Sequence, residues 1–547
     1  MTNYFNLTSL RRLAILYLTA TLIACASTSK TPPEGGLPLP QLTEVISVPY
    51  ARERAGKIDG VTVWQLPNAP GGERPDQCWL AVGSDAEGDI YISGHDHISN
   101  SMLYRMHQSD NTLRWVGDAR TASQTANNWQ VGESAEKFHT RPIAHNGRVY
   151  VATLDKSGMN TSYLSTRGFH WYGYDKVDNE LLDLSASEQN GVGAAHLQIV
   201  TIQKDTKNNL LYGMSVPENK LLKYDVEQGI TTVLGRPPAW NGYFYSNRFM
   251  WVDSRGRVYI TGGSSRRQWN QDEPERVFNH VWYYDPLSGF GELPAFALQG
   301  ANAIEVGQWD RTHKKLYSSD DQGNIYLFTD ATASWTFLGR PDFSRSAKTW
   351  IFQLSADEKK IYIGRSDMGA SRNAIYEYDI ASGDSFELAN MEELDKRASS
   401  EDFITGYDSW DSNGSFYIAA FSMNDNENVR MVAINPVRIK VAKGILPELV
   451  EVNAQAQADN IIVTRSGVAA QPLTLLYEVR AYNKDKHWVD SSYGELTFAT
   501  HQKQIVVNSE SIKRPNTHGL VTATLSLIGD GNVYVIGDNR QLLLAKL

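Results

Sequence analysis

A short phrase that ends on a tyrosine in an apolar strand recurs along the chain, and this repeat restricts its possible folds more than any other feature. The seven copies are SDAEGDIYI, AHNGRVYVA, DTKNNLLYG, VDSRGRVYI, DRTHKKLYS, SADEKKIYI and WDSNGSFYI, with tyrosines at Tyr91, Tyr150, Tyr212, Tyr259, Tyr317, Tyr362 and Tyr417. Successive tyrosines lie 45 to 62 residues apart, which suits one four-stranded sheet plus its loops. Further strands ending in Tyr-Asp, such as LLKYD and IYEYD, are followed by turns. The pattern predicts an all-β chain with a seven-bladed β-propeller.

The repeat ends before the chain does, so a second domain is expected. We place the propeller at residues 44–443. From residue 444 to 547 the pattern changes to short alternating runs, including IIVTRS, LTLLYEVRAYN, QIVVNS and LVTATLSLIG. Such runs predict a small antiparallel β-sandwich, which we interpret as an accessory domain.

The first residues resemble a bacterial lipoprotein signal. Arg11 and Arg12 precede a short apolar core, and Leu-Ile-Ala-Cys at the end of that core is similar to a lipobox. The resemblance implies a signal peptide at 1–24 and a lipid anchor at Cys25 in the outer membrane, with simple secretion as the alternative. Residues 25–43 are rich in Pro, Gly and Ser and predict a flexible tether. With Cys25 anchored, Cys78 stands alone and no disulfide framework is expected.

The overall charge limits the kinds of partner. The formal net charge is −10 and no basic tail is visible, so nucleic acid is not an expected partner. An anionic ligand would need a local basic patch. We expect a monomer.

Propeller topology predicts which side chains share one face. Inner strands begin, and second strands end, at the same end of the ring, and loops at that end carry function. His139 and Arg248 each lie eleven residues before a repeated tyrosine, so we assign them equivalent positions. The same face should collect His170 and a set of basic and aromatic residues that form a substrate-binding surface: His95, His97, Arg167, His196, Arg266, Arg267, Trp269 and Arg345. Cationic groups around a concave mouth focus anions, and arginine forks hold carboxylates and sulfates, so an acidic polysaccharide is the predicted ligand.

The segment EKFHTRPIAHNGRVYVATLDKSGMNTSYLSTRGFHWYGYD, with DIYISGHDHISNSMLYR before it and YFYSNRFMWVDSRGRVYITGG after it, resembles the propeller-fold polysaccharide lyases, in particular the ulvan lyases. The resemblance implies β-elimination on a uronic acid polysaccharide, giving unsaturated oligosaccharides. Carried over, it implies catalytic roles for His139, His170 and Arg248, with Tyr243 or Tyr245 as the tyrosine. Arg248 would neutralise the uronate carboxylate. Which group is base and which is acid stays open.

Two other functions remain compatible with the sequence. A propeller glycoside hydrolase would need two facing carboxyl groups, and the acidic residues able to approach the face are Asp96, Asp155, Asp320, Asp321 and Asp367. A non-catalytic lipoprotein that binds glycan or assembles with other envelope proteins is the second alternative. We expect no catalytic metal and no required cofactor, and leave room for a structural divalent cation, calcium or zinc.

Overall fold

The computed structural model describes most of the chain beyond its first segment. The described residues are 48–96, 98–154, 166–216, 218–237, 248–261, 280–297, 303–341, 348–366, 373–399, 402–408, 414–422, 429–484, 488–515, 522–537 and 541–546. The predicted signal peptide, the tether and Cys25 lie outside these residues. In the described part, no helix is both long enough and apolar enough to cross a membrane.

Thirty-two strands of the described residues build the first part of the fold. They begin with β1 (Tyr50–Arg52), β2 (Arg54–Ala55), β3 (Val61–Gln65), β4 (Val82–Ser84), β5 (Ile90–His95), β6 (Ser101–His107), β7 (Thr112–Asp118), β8 (Ile143–His145), β9 (Arg148–Ala152), β10 (Gly168–Phe169), β11 (Trp171–Asp175), β12 (Glu180–Asp183), β13 (Ala194–Ala195), β14 (Gln198–Asp205), β15 (Leu210–Val216), β16 (Leu221–Asp225) and β17 (Ile230–Gly235). They continue with β18 (Trp251–Val252), β19 (Val258–Thr261), β20 (His280–Asp285), β21 (Gly289–Ala297), β22 (Ile304–Trp309), β23 (Lys315–Asp320), β24 (Ile325–Thr329), β25 (Ser334–Gly339), β26 (Lys348–Leu354), β27 (Lys360–Ser366), β28 (Ala374–Asp379), β29 (Ser385–Asn390), β30 (Phe403–Asp408), β31 (Phe416–Phe421) and β32 (Arg430–Ile434).

Helices are few and short in the described residues. The α-helices are α1 (Ala119–Thr125), α2 (Met391–Leu394) and α3 (Pro436–Ala442), and the 3-10 turns are Leu184–Ser187, Gln189–Gly191 and Ser509–Ser511. Each of these α-helices starts at a side-chain cap, such as Asp118, whose carboxylate accepts the Thr121 amide. They serve as connectors between sheets.

Among the described strands, seven antiparallel sheets follow one another and form the predicted propeller. From the innermost strand outward they are β4-β5-β6-β7-β1, β8-β9-β11-β12, β14-β15-β16-β17, β18-β19-β20-β21, β22-β23-β24-β25, β26-β27-β28-β29 and β30-β31-β32-β3-β2. Inner strands lie against each other in the pairs β4–β8, β8–β14, β14–β18, β22–β26 and β26–β30, and β30 of the last sheet lies against β4 of the first. This contact closes the ring around a central channel.

The N-terminal strand β3 completes the last sheet, a feature that the repeat did not predict. It pairs antiparallel with β32, Val61 opposite Ile434 and Gln65 opposite Arg430. The ring is therefore closed by hydrogen bonds between the two ends of the propeller chain.

The repeated tyrosines lie in the second strand of each sheet, as predicted. Tyr91 is fully buried, and its hydroxyl donates to Asp85 Oδ2 at 2.9 Å. Tyr259 makes the corresponding bond to Asp253 at 3.0 Å. The same aspartates accept backbone amides of the turn, so the motif joins a buried ring to a tight turn.

The second part of the chain is the predicted β-sandwich. Its strands are β33 (Val450–Gln457), β34 (Asn460–Arg465), β35 (Leu473–Tyr482), β36 (Trp488–Phe498), β37 (Gln504–Asn508), β38 (Thr522–Ile528), β39 (Tyr534–Ile536) and β40 (Gln541–Lys546). The sheets β37-β34-β33-β39 and β36-β35-β38-β40 share one buried core that includes Val452, Leu475 and Phe498. One pairing, β33 with β39, is parallel, so the expectation of a purely antiparallel sandwich is wrong at that edge.

The sandwich contacts the propeller at turns between inner and second strands. The Tyr362 hydroxyl donates to the Gly531 carbonyl at 2.5 Å, and the Ala356 amide donates to the Asp530 carbonyl at 3.1 Å. Arg480 donates to the carbonyl of Ala86 in the first sheet. We call the end of the ring where the inner strands begin the channel mouth. The turns that contact the sandwich lie at the opposite end of the ring.

Candidate functional site at the channel mouth

The centre of the ring is narrow and internally braced. A cavity on its axis is lined by residues from six sheets: Leu80, Arg141, Gln203, Arg248, Glu305 and Tyr407. The Tyr407 hydroxyl donates to the Gly307 carbonyl at 2.7 Å and accepts the Gly307 amide at 3.0 Å. Arg141 pairs with Asp408 at 2.7 Å. These contacts connect blades across the channel.

Arg248 lies at the mouth against a cluster of buried aromatic rings. Its guanidinium carbon is 4.8 Å from the Trp350 ring centre and 5.5 Å from that of Trp79. The two indoles are 5.6 Å apart, and Phe403 lies 4.9 Å from Trp79. We call Trp79, Trp350 and Phe403 the aromatic shelf. The shelf combines residues of the first, sixth and seventh sheets. Arg248, which precedes the fourth sheet, lies over it, and this arrangement favours cation–π attraction.

His139 is a buried, neutral imidazole beside this cation. It is 2% exposed, and its Nδ1 lies 3.1 Å from the Val200 carbonyl. A carbonyl only accepts, so Nδ1 carries the proton and Nε2 is the basic nitrogen. Burial, reinforced by the charges of Arg248 and Lys137, lowers the pKa of His139 well below 6.5. The His139 imidazole is therefore uncharged at neutral pH.

The eleven-residue spacing does not make His139 and Arg248 equivalent. Tyr150 pairs with Ile143, four residues after His139, whereas Tyr259 pairs with Trp251, three residues after Arg248. The register differs because the turn of the second sheet is shorter than that of the fourth. Both residues still lie close enough for the arginine charge to act on the histidine.

His170 belongs to a separate ion-pair network. Its Nδ1 is 2.9 Å from Asp183 Oδ2 and its Nε2 is 3.0 Å from Glu133 Oε1. Burial would raise the pKa of both carboxyl groups, but hydrogen bonds, foremost from His170, hold the pKa below its ordinary value. Both ring nitrogens are thus engaged with carboxylates, and His170 has no nitrogen left for proton transfer in this geometry.

The remaining described candidates have varied surroundings. Arg167 joins the His170 network through Glu133 at 2.8 Å. His196 is exposed, has a φ of 61°, and bonds the Thr166 carbonyl through Nδ1 at 2.8 Å. His95 is fully buried at the end of β5. The substrate-binding role expected of these three residues stays a prediction.

Several predicted site residues lie outside the described residues. They are His97, Tyr243, Tyr245, Arg266, Arg267, Trp269 and Arg345, together with the acidic candidates Asp155 and Asp367. Of the other acidic candidates, Asp96 accepts three backbone amides of its own turn. Asp320 is fully buried and accepts the Tyr326 hydroxyl at 2.8 Å. Both act as turn formers here.

Sequence reasoning missed two charged residues at the mouth. Lys137 Nζ makes no hydrogen bond or ion pair with a described residue, and burial followed by the charge of Arg248 lowers its pKa to about 8. The buried Oδ1 of Asp76 has no hydrogen-bond partner within the described structure, and burial followed by the charge of Asp96 raises the pKa of Asp76 to about 6. The only signal for Lys137 was its position two residues before His139, on an extended segment.

Metal ligation finds no support in the described part of the chain, where no group of three His, Cys, Asp or Glu side chains could hold an ion. Cys78 is buried and free.

The fold and this mouth define a closed β-propeller with Arg248 held against buried aromatic rings at its opening. No family model matches the chain, and no curated protein matches it. Many solved structures are similar to this chain, among them the following two. One is PorZ, described as an essential bacterial surface component of the type-IX secretion system of Porphyromonas gingivalis, at 11% identity and a TM-score of 0.44 over 88% of this chain. This chain spans 64% of the length of that one. The other is YCF48 bound to a D1 peptide, at 8% identity and a TM-score of 0.43, covering 70% of this chain and 97% of that chain.

Proposed function

We propose that this protein binds an acidic polysaccharide at the channel mouth and cleaves it by β-elimination at a uronic acid. The observation that supports this most is the position of Arg248 on the aromatic shelf. A guanidinium offers paired donors that match a carboxylate. The buried indoles beneath it hold the guanidinium in place by cation–π attraction, so its charge is positioned before a uronate binds.

The same surface suits the chemistry of elimination. Removing the C5 proton places negative charge next to an ionised carboxylate, which is unfavourable unless that charge is neutralised. Arg248 would supply this stabilisation, and one such preorganised donor contributes roughly 10²- to 10³-fold in rate. His139, held neutral with Nδ1 on Val200, would contribute a polar nitrogen next to Arg248. His170 and Arg167 would support the loop walls through Glu133.

A non-catalytic glycan-binding protein is the second candidate. It is favoured by the engagement of both His170 nitrogens with carboxylates, which removes one of the two histidines that the lyase resemblance requires. In either case we propose that the chain is carried to the bacterial cell envelope by a lipid anchor at Cys25.

The test is to incubate the chain from residue 26 onward with ulvan, alginate, pectate and glucuronan. Unsaturated products are followed by ultraviolet absorbance and binding by calorimetry. We expect product from at least one polymer, and a loss of roughly 10²-fold or more in Arg248→Ala. Arg114→Ala is the matched control, because Arg114 is 48% exposed on the outer strand β7.

The outcomes separate the two candidates. Binding that depends on Arg248, without product, would support the non-catalytic protein. Saturated products would indicate hydrolysis and contradict elimination. If no acidic polymer binds, both candidates are wrong.

A further inference from the structure

A further cavity lies at the end of the ring opposite to the channel mouth, where the seventh sheet meets the first. Its volume is about 590 Å³, within the range typical of sites for small ligands. The seventh sheet contributes Trp64, Tyr417 and Ala433, and the turn between β6 and β7 of the first sheet contributes Gln108 and Asn111. We call this space the seam cavity, because the ring closes at this junction.

One wall of the seam cavity is the N-terminal segment that crosses from one sheet to the other. β1 pairs with β7 of the first sheet and β2 pairs with β3 of the seventh, so the chain changes sheets at Glu53. Arg54 fixes this crossing, because its guanidinium donates to both carboxylate oxygens of Asp395, at 2.6 and 2.7 Å. The wall is therefore preorganised, and a preformed site loses less entropy when a ligand binds.

Clefts between other sheets at the same end of the ring are bridged by polar side chains. Between the first and second sheets, Lys176 Nζ lies 2.7 Å from Asp85 Oδ2. Between the second and third sheets, His145 Nε2 lies 2.8 Å from Asn209 Oδ1. An open cavity is therefore not a general consequence of packing the sheets of this propeller.

The charged side chains that line the seam cavity are balanced in sign. Glu53 and Asp59 are acidic, and Arg54 and Arg438 are basic. Arg438 Nη1 lies 3.9 Å from Asp59 Oδ2. This balance favours neither an anion nor a cation, because recognition of a charged ligand needs a complementary excess of charge. A ligand without net charge is therefore the best match.

The uncharged polar side chains of the lining each offer both a donor and an acceptor. They are Thr62, Gln108, Asn111, Ser415 and Asn435. Asn435 caps α3, where its Oδ1 accepts the Arg438 amide at 3.1 Å. The side-chain amides of Gln108 and Asn111 make no hydrogen bond to a described residue. A sugar hydroxyl also donates and accepts at one oxygen, so these amides match it.

We propose that the seam cavity is a second carbohydrate site, which binds a short neutral oligosaccharide through Gln108 and Asn111. The site selects hydroxyl groups and the absence of charge, whereas Arg248 at the mouth suits a carboxylate. The two sites lie at opposite ends of the ring. Binding in the seam cavity is therefore independent of the elimination proposed for the mouth.

The experiment titrates the purified protein with maltotriose, cellotriose, mannotriose and xylotriose, followed by calorimetry and saturation-transfer NMR. Trigalacturonate and a trialanine peptide serve as comparisons. We expect saturable binding of at least one neutral trimer. Gln108→Trp fills the cavity and should abolish this binding, and Gln108→Ala should raise Kd roughly two- to tenfold by removing one hydrogen-bonding group. Gln228→Ala is the matched control, because Gln228 is exposed in the equivalent turn of the third sheet.

Arg248→Ala separates this site from the mouth, because it should leave the affinity for the neutral trimer unchanged. Neutral binding that is lost in Arg248→Ala would assign it to the mouth and overturn the proposal. Binding of none of the neutral trimers would also overturn it. If trigalacturonate or the peptide binds in their place and Gln108→Trp abolishes that binding, the cavity takes another class of ligand and the proposal is wrong.

Circular dichroism and thermal unfolding show whether Gln108→Trp is folded. If it is not, Asn111→Asp takes its place, since aspartate has nearly the same shape and tolerates the φ of 50° at this position. It replaces the amide donor by a charged acceptor, and Kd should again rise roughly two- to tenfold. Unchanged affinity in both Gln108→Ala and Asn111→Asp would contradict the assignment of these two residues.

Discussion

Replacing Asp76 with asparagine is expected to make the protein more stable above pH 6. The carboxyl group is partly removed from water without a hydrogen bond to its Oδ1, so the folded state disfavours its ionised form. Asparagine has nearly the same shape and no charge to bury. The gain in stability should therefore depend on pH.

The size of the effect follows from the pKa of Asp76. Burial, followed by the charge of Asp96, raises it from 3.8 to about 6. Between these values the folded state binds more protons than the unfolded state, so the stability of the wild-type protein falls as pH rises through this range. At about 1.36 kcal/mol per pKa unit the full shift corresponds to about 3 kcal/mol, and screening by water around this half-buried side chain reduces the cost above pH 6 to about 1–2 kcal/mol. Below pH 3.8 both states are protonated, and wild type and variant should be alike.

Urea unfolding at about pH 4, near the lower end of the range in which Asp76 changes stability, and at about pH 8, above that range, measures this difference, with Asp178→Asn as the control. We expect the free energy of unfolding of Asp76→Asn to exceed that of wild type by about 1–2 kcal/mol at the higher pH, and by much less at the lower pH. An equal gain at both pH values would show that charge burial is not the cause. A variant less stable than wild type at the higher pH would refute the reasoning.

Three further outcomes test other contacts. Arg430→Met should lower the free energy of unfolding by about 3–5 kcal/mol in urea titrations, because it takes a buried cation away from the carboxylates of Asp395 and Asp402. An unchanged urea midpoint in Arg430→Met would contradict a stabilising role for this buried ion pair. Tyr407→Phe should cost about 1–3 kcal/mol by the same measurement, because both backbone groups of Gly307 lose a partner. Trp350→Ala should weaken calorimetric binding of the acidic polymer by about 1 kcal/mol, roughly fivefold in Kd, and unchanged affinity would exclude the shelf from binding.

The repeat was sufficient to predict the architecture, because every blade uses the same local chemistry. Tyr91 and Tyr259 each pack beneath a turn aspartate. The alternation of apolar and polar residues identifies the strands that carry these tyrosines. The closing role of β3 was not predictable in this way. Val61–Gln65 reads as an ordinary strand, and only ring geometry selects β32 as its partner.

The site was predicted in part. Topology brings His139 and Arg248 to one end of the ring, because every inner strand begins there. Their one-residue difference in register depends on turn lengths, which the tyrosine spacing does not record. The carboxylates around His170 come from Glu133 and Asp183, residues that no motif links to it. Lys137 and Asp76 are ordinary surface types by sequence, and their unusual character comes from burial and from charges brought near by the fold.

The pairing of β3 with β32 has a consequence for synthesis on the ribosome. The two strands are separated by about 370 residues, so β3 leaves the exit tunnel long before its partner exists. At translation rates of about 5–20 residues per second, the wait is on the order of 20 to 70 s. During this interval six blades can assemble as an open arc whose two edges are exposed. The last step of folding is then the meeting of distant chain segments, which is slow because of its high contact order, and nascent chains stalled before residue 434 should depend most on chaperones.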